Sequence, residues 1–423
     1  MKKQEKCTRE LLAFIEQSPT AYHAADNLKK MAESAGYAVL SEQEEWTLKP
    51  GGIWTGVMRA SSSVAAFAVP EGEFKGFHMV AAHSDSPTYK VKENAEMKVE
   101  EQYIKLNTER YGGMLPNTWL DRPLSVAGRV AVKTGNGIAE RLVKVDQDLL
   151  VIPNVAIHMN REGTDYNAQI DMLPLYGQAD GKLHFADTVA KAAKVKKDEI
   201  LAYDLFLYVR EQGRVFGGNG EFILAPRLDD LQCAFSAMKA MTATQPKEYL
   251  NICVIFDNEE VGSGTRQGAD STFLSDLLER IREAFGKSNA WLQQKIAGSL
   301  LISADNAHAV HPNHPEKADP TNRPYLNGGI VIKYHGSQRY TTDAMTAAAM
   351  KELCREAGVP VQTYTNRSDI AGGSTLGNIS TAHVSVPSVD IGLPQLAMHS
   401  AVETAGVKDT SYAVEMMTVF FGK

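Results

Sequence analysis

The chain opens on two helical patterns, residues 8–16 and a second after Ser18-Pro19-Thr20, where Ala24, Leu28, Met31 and Ala35 fall on one stripe. A short apolar run at residues 77–82 then predicts a strand, and it breaks at His83-Ser84-Asp85-Ser86-Pro87. From Thr88 to Pro226 the texture changes. Short β-like runs at 149–151, 155–158 and 205–209 alternate with Gly and Pro turns, and long helical patterns are scarce. After Pro226 a different rhythm resumes: helix 230–241, strand 251–256, helix 272–285, strand 300–303, strand 330–334, helix 343–357, strand 384–391 and helix 412–421. Strands alternating with helices predict an α/β fold, a mostly parallel sheet sandwiched by helices. The expected organisation is a discontinuous unit, 1–87 and 227–423, interrupted by a β-rich insertion, 88–226.

Composition narrows the class. The 423 residues suit two domains, and 43% hydrophobic with 22% charged residues is ordinary for a globular protein. A formal net charge of -7 with no basic tract argues against nucleic-acid binding. Cys7, Cys233, Cys253 and Cys354 are scattered without a CxxC pair, which implies no disulfide framework and a reducing, cytoplasmic setting. The start, Met1-Lys2-Lys3-Gln4-Glu5-Lys6, carries no apolar signal segment, and no run approaches the ~20 apolar residues of a membrane span.

Chemistry concentrates where strands end. The β-branched run at 251–256 stops at Asp257-Asn258-Glu259-Glu260-Val261-Gly262-Ser263-Gly264. Acids at the carboxyl end of a central strand occupy the crevice where α/β sheets bind ligands. Adjacent carboxylates repel there unless a cation holds them; the alternative is a solvated loop. Other strand ends add His83 with Asp85, Asp229 in Arg227-Leu228-Asp229-Asp230, Asp305 after Ser303-Ala304, and His399 in Ala397-Met398-His399-Ser400. Mixed imidazole and carboxylate donors suit zinc, with cobalt or manganese as alternatives. Taken singly, each has a structural reading: Asp229 and Asp230 as helix-capping acids, Asp305 as a turn residue, a lone His as a hydrogen-bonder. His308, His311 and His314 recur every third residue in a Pro-rich loop and read as loop surface.

In order along nearly the whole chain, these segments resemble the aspartyl aminopeptidase family of dinuclear zinc exopeptidases. The likeness includes Ile152-Pro153-Asn154-Val155-Ala156-Ile157-His158, Val331-Ile332-Lys333 with Gln338-Arg339-Tyr340, and Pro394-Gln395-Leu396-Ala397. The resemblance implies a metallo-aminopeptidase with two divalent ions. Asp229 would bridge them, His83 and Asp305 would complete one site, and Glu260 and His399 the other. Glu259 would be the general base, and Asp85 would orient His83 through its second ring nitrogen. It also implies that the insertion mediates dimerisation, with His158 reaching the neighbouring subunit's site to stabilise the oxyanion. Lys333 would pair with an acidic first side chain of the peptide, giving a preference for Asp or Glu. A tetrahedral shell of twelve subunits is implied as well.

Departures from the family pattern bear on specificity. Asp230 stands where Asn is common, and Asn306 where Met is frequent. The segment Asn366-Arg367-Ser368-Asp369-Ile370-Ala371-Gly372-Gly373-Ser374-Thr375 follows the family loop only loosely. That loop, with Gly373, would border the substrate pocket. Arg367 would strengthen binding of acids, or Asp369 would neutralise it. The rivals are a broader-specificity aminopeptidase accepting neutral residues, a dinuclear amidohydrolase acting on non-peptide amides, and a non-catalytic self-assembling scaffold, which predicts loss of a ligand or of the base. Every one of those residues is present.

Overall fold

The computed structural model describes residues 2–160, 165–373 and 375–423. A nine-stranded sheet forms its centre, in the order Ala38–Val39, Ile53–Arg59, Ser63–Ala68, Leu250–Phe256, Phe77–His83, Leu300–Ala304, Ser388–Gly392, Ile330–Lys333, Val361–Tyr364. The middle four run parallel, with Phe256 beside His83 and Ala304 beside Ile391. Their carboxyl ends therefore open on one edge. Antiparallel pairings at Ser63–Ala68 and Ile330–Lys333 make the sheet mixed toward its sides.

Both faces are covered, which explains the uninterrupted apolar runs of these strands. Along Leu250–Phe256, Leu250, Ile252, Val254 and Phe256 pack on one side with Phe273, Leu277 and Ile281 of the helix Phe273–Ala284. Cys253 and Ile255 pack on the other with Leu28, Met238 and Phe420, from the helices Ala21–Ser34, Leu228–Thr242 and Asp409–Phe421. Each such buried side chain contributes about 1.5–3 kcal/mol.

A second sheet of six strands lies within residues 88–209. Its order is Gly137–Lys144, Leu124–Thr134, Ile200–Val209, Thr88–Val99, Tyr103–Tyr111, Leu175–Gln178. It is antiparallel throughout and has its own cluster of buried residues. The helix Phe185–Ala193 packs on this cluster, where the sequence suggested little helix. A third sheet joins Arg214–Phe216, Phe222–Ala225, Glu403–Gly406, Pro394–Leu396 and Ala307–His308. Among the described residues, no helix is long and apolar enough to cross a membrane.

Two predicted strands differ. Residues 155–158 form an exposed segment leading into a turn at 157–159, because their alternating apolar side chains find no partner strand among the described residues. The predicted strand 384–391 begins only at Ser388, since Pro387 has no N–H to donate to a ladder.

Candidate metal centre

The three sheets meet where the parallel strands end. Phe77–His83 delivers His83, Leu250–Phe256 delivers the Glu259–Glu260 turn, and Leu300–Ala304 delivers Asp305. The third sheet brings the others: Ala225 pairs with Glu403, so the step into Asp229 lies beside the loop that carries His399. Arg227, Asn258, Ala397 and His399 hold left-handed φ angles of 57°, 60°, 58° and 66°. Such non-glycine conformations cost of order 1 kcal/mol or more each and persist where surroundings enforce them.

The two oxygens of Asp229 face different histidines. Oδ1 lies 3.6 Å from His83 Nε2, and Oδ2 lies 3.4 Å from His399 Nε2. Asp305 Oδ1 is 3.8 Å from His83 Nε2, and Glu260 Oε2 is 3.2 Å from His399 Nε2. Two donors each ~2.1 Å from one tetrahedral ion stand about 3.4 Å apart, so these separations fit shared ions. Candidate ligand atoms also cluster within 4.8 Å of one another in the sets His83, Glu259, Glu260 and His83, Asp230, Asp305.

Electrostatics agree with geometry. His83, Asp229 and Asp230 are buried, and Asp229 Oδ1, Asp230 Oδ1 and Glu260 Oε1 lack hydrogen-bond partners. A buried unsatisfied oxygen costs about 1–3 kcal/mol, more when charged; a cation removes that cost. Burial, with the Asp305 and Asp229 charges, pushes Asp230 well up, and burial with the Asp229 charge does the same to Glu260. Burial pushes Glu259 up to about 7. Burial would lower His83, but the facing carboxylates of Asp229, Asp305 and Asp85 raise it well above the usual imidazole range. The site draws positive charge, and these residues fit bound divalent metal.

His83 Nδ1 faces two acceptors, Asp85 O at 3.1 Å and Asp85 Oδ1 at 3.3 Å. Nδ1 therefore carries a proton, and Nε2 is turned toward the carboxylates. The same Asp85 carboxylate accepts the Glu259 N–H at 3.1 Å and the Glu260 N–H at 3.2 Å.

Other candidates lie elsewhere. Lys333 is buried, its Nζ 3.5 Å from Asp305 Oδ2 and 5.6 Å from the Tyr340 ring centroid. His308, His311 and His314 line a cavity beside Ala397 with Tyr364, Arg367 and Gly372. None of the three belongs to a metal-compatible cluster among the described residues. Gly373 is exposed in the loop whose Gly372 carbonyl accepts from Arg339, and Ser374 lies outside the described residues. Arg367 forms a two-point pair with Asp369. His158 sits on its exposed turn and joins none of the metal-compatible clusters among the described residues.

Sequence reasoning missed Glu403 and Tyr111. Buried Glu403 accepts the Asp229 N–H at 3.0 Å and the His399 N–H at 2.8 Å, bracing the backbones of two candidate ligands. Its place four residues beyond His399 was the one available signal. Tyr111 donates to Asp85 from the second sheet, and no local pattern marks it.

Comparison with known proteins places the chain. The profile of the family described as aminopeptidase I zinc metalloprotease (M18) matches residues 14–421. A probable M18 family aminopeptidase 2 of Clostridium novyi (strain NT) is 45% identical over 432 residues, covering 100% of both chains. The solved structure of Chaetomium thermophilum mApe1 is 31% identical with a TM-score of 0.90, covering 99% of this chain and 98% of that one. The S. cerevesiae mApe1 dodecamer gives 28% and 0.88, covering 100% and 97%. The chain belongs to the aminopeptidase I zinc metalloprotease family, M18, and is a hydrolase of the metallo-aminopeptidase class.

Proposed function

We propose that this aminopeptidase removes the first residue of peptides by dinuclear chemistry and prefers N-terminal Asp or Glu. The observation that carries the reading is Asp229, whose two oxygens face His83 and His399. Asp229 would bridge two ions, His83 and Asp305 completing one site and Glu260 and His399 the other. Zinc is the expected metal, with cobalt or manganese as substitutes. When bound, the pair would supply Lewis acidity to the scissile carbonyl and lower the pKa of water. Glu259 would take the proton from the attacking water and deliver it to the leaving amine as the C–N bond breaks. Asp85 holds the His83 ring and the Glu259 backbone in register. Lys333 presents a buried cation to an acidic first side chain, and the Gly373 loop borders the pocket.

Residues 88–226 would form the inserted dimerisation unit between 1–87 and 227–423. The exposed apolar side chains of Val155, Ile157, Met159 and Ile170 support this, since such patches mark interfaces. His158, set between Ile157 and Met159, would donate to the developing oxyanion in the partner copy. A neighbour described as a dodecamer supports assembly of dimers into a tetrahedral dodecamer. Four free, buried cysteines support a reducing cytoplasm.

One observation favours broader specificity: Lys333 already pairs with Asp305, and Arg367 with Asp369. A panel of aminoacyl amides, assayed with zinc, cobalt and manganese, decides between the readings. Faster release of Asp and Glu is expected. Turnover of apolar residues alone would overturn the acidic preference.

A further inference from the structure

Tyr111 ends a strand of the six-stranded sheet, yet its hydroxyl lies inside the catalytic centre. It donates to Asp85 Oδ2 at 2.7 Å and accepts from Asn258 Nδ2 at 2.7 Å. Its ring is held edge-on against Phe206 of the same sheet, with centroids 5.4 Å apart. The chain that follows stays close to the metal side. Gly112 has φ +77°, and a Cβ there would stand 3.1 Å from Glu260 Cβ and 3.2 Å from its carbonyl oxygen. Leu115 N–H donates to His399 O at 3.1 Å, and Thr118 Oγ1 accepts the Ala401 N–H at 2.9 Å.

We propose that Tyr111 is a positioning residue, acting through Asp85 to fix the His83 imidazole and the Glu259–Glu260 turn. The inference rests on the metal roles given under Proposed function. Asp85 gathers the Tyr111 hydroxyl, two backbone N–H groups and the His83 Nδ1–H. With the hydroxyl gone, Oδ2 keeps only the Glu260 N–H of these donors, and Asn258 Nδ2 loses its Tyr111 partner. The carboxylate is then free to turn, and the ring and turn it aligns lose their common reference. Partners of this kind typically contribute 10–100-fold to metal affinity or activity. The insertion thus braces its own subunit's centre through residues 111–118, separately from any contact it makes with another copy.

The test compares Tyr111→Phe with Tyr203→Phe, which removes a hydroxyl of the same sheet that bonds Lys92 O, away from the centre. Zinc is titrated into each chain against a chromophoric chelator, with steady-state kinetics and solution mass alongside. For Tyr111→Phe, affinity for one zinc equivalent and kcat should each fall about 10–100-fold, with KM and mass unchanged. Tyr203→Phe should match the wild type. Wild-type zinc affinity and kcat in Tyr111→Phe would overturn the inference, as would equal losses in both variants. A wild-type chain that takes up zinc but releases no N-terminal residue would sink the proposed function instead, and the zinc titration would still decide Tyr111.

Discussion

The central sheet and the inserted sheet spend their apolar residues differently. Phe77–His83 and Leu250–Phe256 are buried along their whole lengths. Helices cover both their faces, so polar side chains emerge chiefly at the strand ends. That condenses His83, Glu259, Glu260 and Asp305 at one edge of a single chain. In the inserted sheet, Thr88–Val99 and Tyr103–Tyr111 alternate between buried and accessible positions. Its loops project outward, and Ile157 and Met159 are 71% and 82% exposed beside His158. Candidate chemistry gathers within one chain in the first region, whereas the second exposes apolar surface and turns inward at Tyr111 to Thr118.

The sharpest way to break this contrast is at the strand end. Glu259→Gln keeps the size of the side chain and its backbone N–H to Asp85 but removes the proposed base. We expect kcat to fall about 10²–10⁴-fold while zinc content stays at the wild-type level. Near-normal turnover would take Glu259 out of the proton-transfer role.

A smaller loss, about 10²–10³-fold, is expected for His158→Ala, the magnitude of one oxyanion donor. Its value lies in mixing. In a two-fold dimer formed from His158→Ala and Glu259→Gln chains, one site has Glu259 from its own chain and His158 from the partner. Random assembly of equal amounts should then restore roughly a quarter of wild-type activity. No restoration would mean that His158 acts within its own chain or not at all.

The contrast also explains what was legible in the sequence. Buried strands write their limits plainly, because an apolar run that stops at His83 or Asp257 has left the core. The exposed segment at 155–158 has the alternation of a strand, yet alternation names a face without saying what covers it. Sequence-local signals likewise cannot reveal bonds between elements. Asp85 meets the Glu259 N–H across 174 positions and the Tyr111 hydroxyl across 26. Glu403 reaches the Asp229 N–H across another 174. The candidate ligands carry their chemistry in their residue types, whereas the groups that aim them are ordinary residues made special by position.

The smallest effect concerns Lys333, the proposed substrate contact. Lys333 stands on the fully buried strand Ile330–Lys333, and its ammonium is shared with Asp305 at 3.5 Å. An ammonium has three donors in different directions, so pairing with Asp305 leaves capacity for a substrate carboxylate. Lys333→Met keeps the apolar stem and removes the charge. A charge-assisted hydrogen bond contributes about 1.5–3 kcal/mol net, and an ammonium already shared with Asp305 puts the loss at the lower end of that range. The ratio of kcat/KM for Glu over Leu amides should therefore fall about tenfold. Equal losses on both amides would give the lysine to Asp305 alone. The acidic preference would then have to arise from the loop that carries Arg367, where Asp369 already holds the guanidinium.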